Sequence, residues 1–265
     1  MKQYGEILML GKCNQRCFYC LGNEMPKASK VNLMDTHYNE WVDFERFISL
    51  LHKNNIKDIY LSSVNTEPML YKYVDSLVLY LIDKGFDVGV RTNGTIYSEI
   101  FKYMEGEISI SINSLNNDVN RKICGRESPL ETIRKIMRLL EDNNKKCRYS
   151  ILVNEYNYND IIDTITTLRE YTNTIEYIQL RRWYRYNNDK DNSPYNNIVE
   201  RIRNEYERVG NFYESDIYNV NGVKVSLWND VFKKESVKSI NYFIDGKMSD
   251  YNLLVPIYEE NKNLI

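Results

Sequence analysis

Short apolar runs rich in Ile, Leu and Val alternate along this chain with longer stretches in which apolar residues return every third or fourth position. The first pattern is that of buried strands, the second that of amphipathic helices. Strands are predicted over Gly5–Leu10, Ile56–Val64, Phe86–Thr92, Glu107–Asn113, Cys147–Val153 and Thr174–Arg182. Between them helices are predicted near Val42–Asn54, Tyr71–Lys84, Ser98–Tyr103, Pro129–Asn144 and Asn159–Tyr171, with a further helix, Pro194–Arg208, after the last strand. Pro129 and Pro194 suit the first turn of a helix, with Ser128 and Ser193 before them as N-caps. Strict βα alternation implies an α/β fold with parallel strands, either a doubly wound sheet or an open, partial barrel. After about Val209 the pattern changes. "GVKVSLW" and "INYFID" read as short strands, with "NVNG" and "IDGK" as turns. The expectation is one α/β domain over residues 1–209, with residues 210–265 as a C-terminal, β-containing extension packed on it.

Strand parity divides the side chains between two faces. In "EISISIN", Ile108, Ile110 and Ile112 face the helices, which turns Ser109, Ser111 and Asn113 inward. By the same parity Gln179, Arg181 and Trp183 face inward, as do Arg148, Ser150 and Asn154, and Arg91 with Asn93. Inward polar residues near the C-terminal ends of parallel strands are where such folds place their sites. Three arginines in one interior also need partners, because an unpaired buried guanidinium is costly.

Composition narrows the classes. The net charge of −2 and the lack of a basic block give no indication of nucleic-acid binding. No apolar run approaches membrane-spanning length and no secretory leader pattern opens the chain, so a soluble, cytoplasmic protein is expected. Five cysteines in 265 residues are too few for a disulfide scaffold. Three of them, Cys13, Cys17 and Cys20, are crowded into "CNQRCFYC" at the end of the first strand. Three thiolates suit zinc or an iron–sulfur cluster. Structural zinc takes four ligands, and no second close cysteine pair accompanies the trio, with His37 and His52 the only histidines. A four-iron cluster held by three cysteines, with one iron left open for a small molecule, accounts for the trio best.

The CxxxCxxC spacing with Phe18 and Tyr19 in its last interval resembles the radical S-adenosylmethionine superfamily. Three further marks follow in order. "NTEPML" after the second strand is similar to the family's GGEP-type motif, keeping Glu67 and Pro68 but with Asn65-Thr66 where two glycines are usual. "RTNGT" follows the third strand and "SISINS" occupies the fourth. The resemblance covers about residues 5–186. It implies a partial (β/α)6, TIM-like barrel whose mouth holds a [4Fe-4S] cluster on Cys13, Cys17 and Cys20. It also implies S-adenosylmethionine as cofactor, cleaved by an electron from the cluster to give a 5′-deoxyadenosyl radical that abstracts hydrogen from a substrate. An electron donor such as flavodoxin or ferredoxin is implied as a partner.

On this reading Glu67 lies near the cofactor's amino group, Phe18 and Tyr19 belong to its site, and Asn93, Ser109, Ser111 and Asn113 are candidates for its ribose and adenine. The alternative for Glu67 is a favourable charge at a helix N-terminus, and for the polar residues a structural hydrogen bond. Arg148 is the candidate for the cofactor carboxylate. Arg181 is the candidate for an anionic substrate such as a nucleotide, sugar phosphate or amino-acid derivative. "RRWYRY", Arg181–Tyr186, reads either as a nucleotide-binding pattern or as a solvated strand end. Cys124 in "KICGR" is either a hydrogen-donating loop thiol or an inert one, and the cysteine-rich extension of many peptide-modifying relatives is missing. Peptide or protein modification, and a non-catalytic metal-binding scaffold, stand as the alternative functions.

Overall fold

The computed structural model describes residues 3–184, 192–212, 215–228, 238–251 and 253–265. Six parallel strands form its centre: β1 (Gln3–Met9), β2 (Asp58–Ser63), β3 (Asp87–Thr92), β4 (Ile108–Ser111), β5 (Cys147–Leu152) and β6 (Ile175–Arg181), neighbours in chain order. The helices are α1 (Phe44–Lys53), α2 (Val74–Asp83), α3 (Asn117–Cys124), α4 (Leu130–Asp142), α5 (Ile161–Leu168), α6 (Ser193–Glu205) and α7 (Leu254–Glu260). The predicted strands and the main helices are all present. The segment read as a helix at Ser98–Tyr103 is a single 3-10 stretch, Glu99–Tyr103, opened by the Ser98 hydroxyl accepting from the Ile100 amide at 3.1 Å. Helix α6 stops at Glu205 rather than Arg208 because strand β7 (Glu207–Phe212) follows at once. The expected serine caps are not found. Ser193 lies inside α6 with Pro194 in its first turn, and Pro129 itself precedes the first residue of α4 without a side-chain cap.

The C-terminal strands enlarge the same sheet at both ends. Strand β9 (Val223–Trp228) pairs parallel with β6, and β8 (Ser215–Val220) and β7 add antiparallel beyond it. At the other edge β10 (Lys238–Phe243) pairs parallel with β1 and carries the short antiparallel β11 (Met248–Ser249). The β8–β9 hairpin turns on Asn221-Gly222, both with positive φ (52° and 90°). That is the backbone a two-residue hairpin loop requires and the one Asn-Gly adopts most readily. The sheet is thus an open partial barrel, with helices outside.

The core lies between sheet and helices. Ile59, Leu61, Val88, Val90, Ile108, Ile110, Ile151, Ile178 and Leu180 point outward from the strands and are all buried. The opposite parity faces the lumen, as Arg91 on β3 meeting Glu6 on β1 and Arg148 on β5 meeting Gln179 on β6 show. Among the described residues no helix is long and apolar enough to cross a membrane.

Candidate functional site

The cysteine loop leaves β1 at the C-terminal end of the barrel and is pinned from two sides. On one side Asn65 and Thr66, which follow β2, hold it. The Gly11 amide donates to Asn65 Oδ1 at 3.3 Å, Asn65 Nδ2 donates to the Ala28 carbonyl at 3.3 Å, and the Thr66 hydroxyl donates to the Lys12 carbonyl at 2.9 Å. The two residues that replace the usual glycines are therefore used to fasten the loop. Gly22 makes the approach possible, since a Cβ there would sit 2.7 Å from the Asn65 Cβ. On the other side the loop is bonded to the end of α3: the Arg16 amide donates to the Cys124 carbonyl at 2.9 Å and the Phe18 amide to that of Ile123 at 3.1 Å. Helix α3 was not foreseen. It is capped by Asn116, whose Oδ1 accepts from the Asp118 and Val119 amides, and closed by Gly125 in the left-handed conformation.

Cys13, Cys17 and Cys20 are free thiols, each partly buried. Burial raises the pKa of Cys13 and Cys20 above the ordinary thiol value, partly opposed by backbone amides at Gln15 for Cys13 and at Gly22 and Asn23 for Cys20. The Cys17 sulfur contacts Gln15 Oε1 at 3.6 Å and neighbours Cys124. Donation to Cys124, followed by burial, holds the Cys17 thiol well above its usual range. Cys124 is pushed down to about 7 by that same contact, opposed by burial and assisted by the Arg126 amide and Asn113. Among the described residues no three His, Cys, Asp or Glu side chains converge on a single-ion site. The donor set, three partly buried thiols on one loop, fits an iron–sulfur cluster.

Glu67 is 2% exposed and saturates three donors. Its Oε1 accepts from the Thr92 hydroxyl at 2.6 Å and the Met69 amide at 3.1 Å, and its Oε2 from the Asn93 amide at 2.7 Å. It thereby ties the end of β2 to the end of β3 and also caps the short helical turn at Pro68–Leu70. Burial pushes its carboxyl up to about 7 against these three bonds. A carboxylate offers about four acceptor positions, so one is left.

The remaining candidates divide. Asn93 donates to Asn14 Oδ1 at 3.0 Å, accepts from the Thr95 amide at 3.0 Å and from the Thr95 hydroxyl, and lies 3.8 Å from the Cys13 sulfur. Asn14 closes the ring by donating to the Thr95 hydroxyl at 2.7 Å. The Tyr19 hydroxyl donates to Asn113 Oδ1, and Phe18 packs edge-on against Tyr19, Tyr156 and Trp183 at centroid distances of 5.6, 5.6 and 5.1 Å. Ser109 is buried between Arg91 and Arg148 in the sheet register, whereas Ser111 is exposed nearer the mouth.

The three arginines differ. Arg91 pairs with Glu6 and lies over the rings of Tyr4 and Tyr60 at 5.6 and 5.3 Å. Arg148, expected at the cofactor carboxylate, is engaged by Glu107 at 2.8 Å and by Gln179, near the N-terminal end of β5 and away from the cysteine loop. Arg181 makes no ion pair among the described residues. Burial, then the like charges of Arg148 and Arg91, push it down to about 10, so it remains a cation at neutral pH. The partner acids were missed, although Glu107 shares the inward parity of Ser109 and Ser111, and Glu6 is the one charged residue in "GEILML". Of "RRWYRY", Arg185 and Tyr186 lie outside the described residues.

Residues 7–168 match the family model of the radical SAM superfamily. The chain is 25% identical over 185 residues to a GTP 3′,8-cyclase of Syntrophomonas wolfei, covering 66% of this chain and 54% of that protein. It is 24% identical over 171 residues to an S-adenosyl-L-methionine-dependent tRNA 4-demethylwyosine synthase of Methanocaldococcus jannaschii, covering 55% and 54%. The chain spans about half the length of the curated relatives it matches. Among solved structures, Streptococcus suis SuiB bound to S-adenosylmethionine superposes with a TM-score of 0.68 at 13% identity, over 99% of this chain and 60% of that one. Native anSMEcpe with bound AdoMet gives 0.62 at 12% identity, over 95% and 76%. The chain belongs to the radical SAM superfamily, and its fold is the partial barrel those structures share.

Proposed function

We propose that the protein is a radical S-adenosylmethionine enzyme acting on a small anionic substrate that enters the barrel and meets Arg181. When bound, the [4Fe-4S] cluster and S-adenosylmethionine supply the electron and the 5′-deoxyadenosyl radical that removes a hydrogen atom from the substrate. Cys13, Cys17 and Cys20 would hold the cluster. Asn14, Asn93 and Thr95 orient the Cys13 side of the loop, and Asn65 with Thr66 fixes its base. Glu67, held by Thr92 and two backbone amides, has one acceptor position left for the cofactor's amino group. Phe18 packs edge-on against Tyr156 and Trp183, which ties the cysteine loop to the segments that follow β5 and β6.

The observation that carries the substrate class is the contrast among the lumen arginines. Among the described residues Arg91 and Arg148 each have a protein carboxylate, and Arg181 has none. Arg181 is half-buried; a cation drawn partly out of water without a counter-charge is costly, and an anionic guest supplies one. A charge-assisted bond of this kind is worth roughly 1.5–3 kcal/mol, or about ten- to a hundred-fold in affinity.

The test is a panel of nucleotides, sugar phosphates and amino-acid derivatives, scored by stimulation of 5′-deoxyadenosine formation. Arg181→Ala should raise the concentration of the active compound needed by about ten- to a hundred-fold, while cofactor cleavage without substrate changes far less. An active compound that is neutral, or one whose potency Arg181→Ala leaves unchanged, overturns the assignment.

A further inference from the structure

Strand β9 comes from the C-terminal segment, beyond residues 7–168 that match the family model. Its Val225 and Leu227 pair in register with Ile178 and Leu180 of β6, and all four are buried on the helix side. The opposite parity, Ser226 and Trp228, therefore faces the lumen beside Gln179 and Arg181. Arg181 and Trp228 are the last residues of two parallel neighbouring strands. Their backbones lie about 4.8 Å apart, at the C-terminal end of the barrel. This corner of the mouth adjoins the cysteine loop, because Trp183, two residues beyond Arg181, packs on Phe18 at 5.1 Å.

The three tryptophans of the chain are not alike. Trp41 is buried among Phe44 and Tyr71, and Trp183 is buried against Phe18. Trp228 is only half-buried, and among the described residues it touches no other aromatic ring. Nor does the Arg181 guanidinium lie over its indole. A broad apolar face is thus left open to the lumen mouth, next to a cation that has no counter-charge among the described residues.

We propose that Trp228 is the stacking surface for a planar ring of the substrate, so that the compound held by Arg181 is an aromatic anion. The inference rests on the reading of Arg181 given above and narrows it. An indole offers a large rigid face on which a flat ring stacks, and the guanidinium beside it takes a phosphate or carboxylate. The two strands fix these groups side by side, so ring and charge belong to one compact molecule. Nucleotides and aromatic amino-acid derivatives carry both groups. Sugar phosphates and aliphatic amino-acid derivatives lack the ring. Trp228 then acts as a specificity residue contributed to the barrel by the C-terminal segment.

The test is calorimetric binding to the anaerobically reconstituted full chain with S-adenosylmethionine present. Probes are compared in sets that share an anion: nucleoside 5′-monophosphates against ribose 5-phosphate, and N-acetyltryptophan and N-acetyltyrosine against N-acetylalanine. In at least one set a ring-bearing member should bind more tightly than its ring-free counterpart, and the set that responds tells phosphate from carboxylate. Trp228→Leu should weaken the ring-bearing member by about five- to a hundred-fold and leave the ring-free one as it was, while Trp228→Phe should recover most of the loss. Arg181→Ala should weaken both members of the set. The comparison within the unaltered chain decides the ring requirement even if a variant folds poorly. Equal binding with and without the ring, no binding of any ring-bearing anion, or a Trp228→Leu effect shared by both members would each overturn the proposal. A ring-free anion that binds best and depends on Arg181 would overturn it and leave the Arg181 assignment standing. A ring-bearing compound indifferent to Arg181→Ala would overturn both.

Discussion

Cys13→Ala should lose the cluster outright. Anaerobic reconstitution of the unaltered chain is expected to give about four iron and four sulfide per chain and a broad visible absorbance, as for a single [4Fe-4S] centre. In the variant both should fall close to zero, because two thiolates on a short loop cannot hold a cluster that already has only three protein ligands. The fold should survive. Cys13 is only partly buried and makes only weak sulfur contacts, to the Gln15 amide at 3.4 Å and to Asn14 and Asn93 at 3.8 Å, so the stability should change by little more than surface substitutions usually cause, about 0.5 kcal/mol. Iron determination, visible spectra and thermal melting on the same preparations separate lost ligation from lost folding. Retention of the full iron content would contradict the ligand assignment.

Arg91→Ala should be the most destabilising of the lumen substitutions. It strands Glu6, whose side chain is only 7% exposed, without its counter-charge. Breaking a buried pair from one side costs about 3–5 kcal/mol. The Arg91 side chain is 36% exposed to the lumen, so water can reach part of the vacated space and the expected loss is about 2–4 kcal/mol. Loss of its stacking on Tyr4 and Tyr60 adds to this. That is a large share of the roughly 5–15 kcal/mol by which a domain is stable. Adding Glu6→Gln to Arg91→Ala should recover part of the loss, since the stranded charge is then gone. Urea unfolding of the two variants checks both statements. A double variant as unstable as the single one would show that the charge pair is not the cause.

The barrel was legible because its strands carry two signals at once. Ile108, Ile110 and Ile112 alternate with Ser109, Ser111 and Asn113, and this fixes which face meets the helices. The cysteine trio was legible from spacing alone. What escaped depends on neighbours remote in sequence. Strand β10 pairs with β1 and β9 with β6, and nothing local in either strand names its partner. Helix α3 has too few apolar residues to show a periodic face, although Asn116 and Gly125 mark both its ends. Without α3, the backbone bonds that Arg16 and Phe18 of the cysteine loop make to its end could not be foreseen. Asn65 and Thr66 looked like a departure from a glycine pattern, and only the loop's position shows them as its fasteners.

Product analysis of the reconstituted chain bears most directly on the radical assignment. Incubated anaerobically with dithionite and S-adenosylmethionine, it should release 5′-deoxyadenosine and methionine in equal amounts, slowly and without added substrate. Glu67→Ala, which removes the acceptor held by Thr92 and the Asn93 amide, should raise the cofactor concentration required more than it lowers the iron content. A chain that holds a single zinc ion, or that holds iron and sulfide yet yields no 5′-deoxyadenosine with any reductant or candidate substrate, would contradict the account.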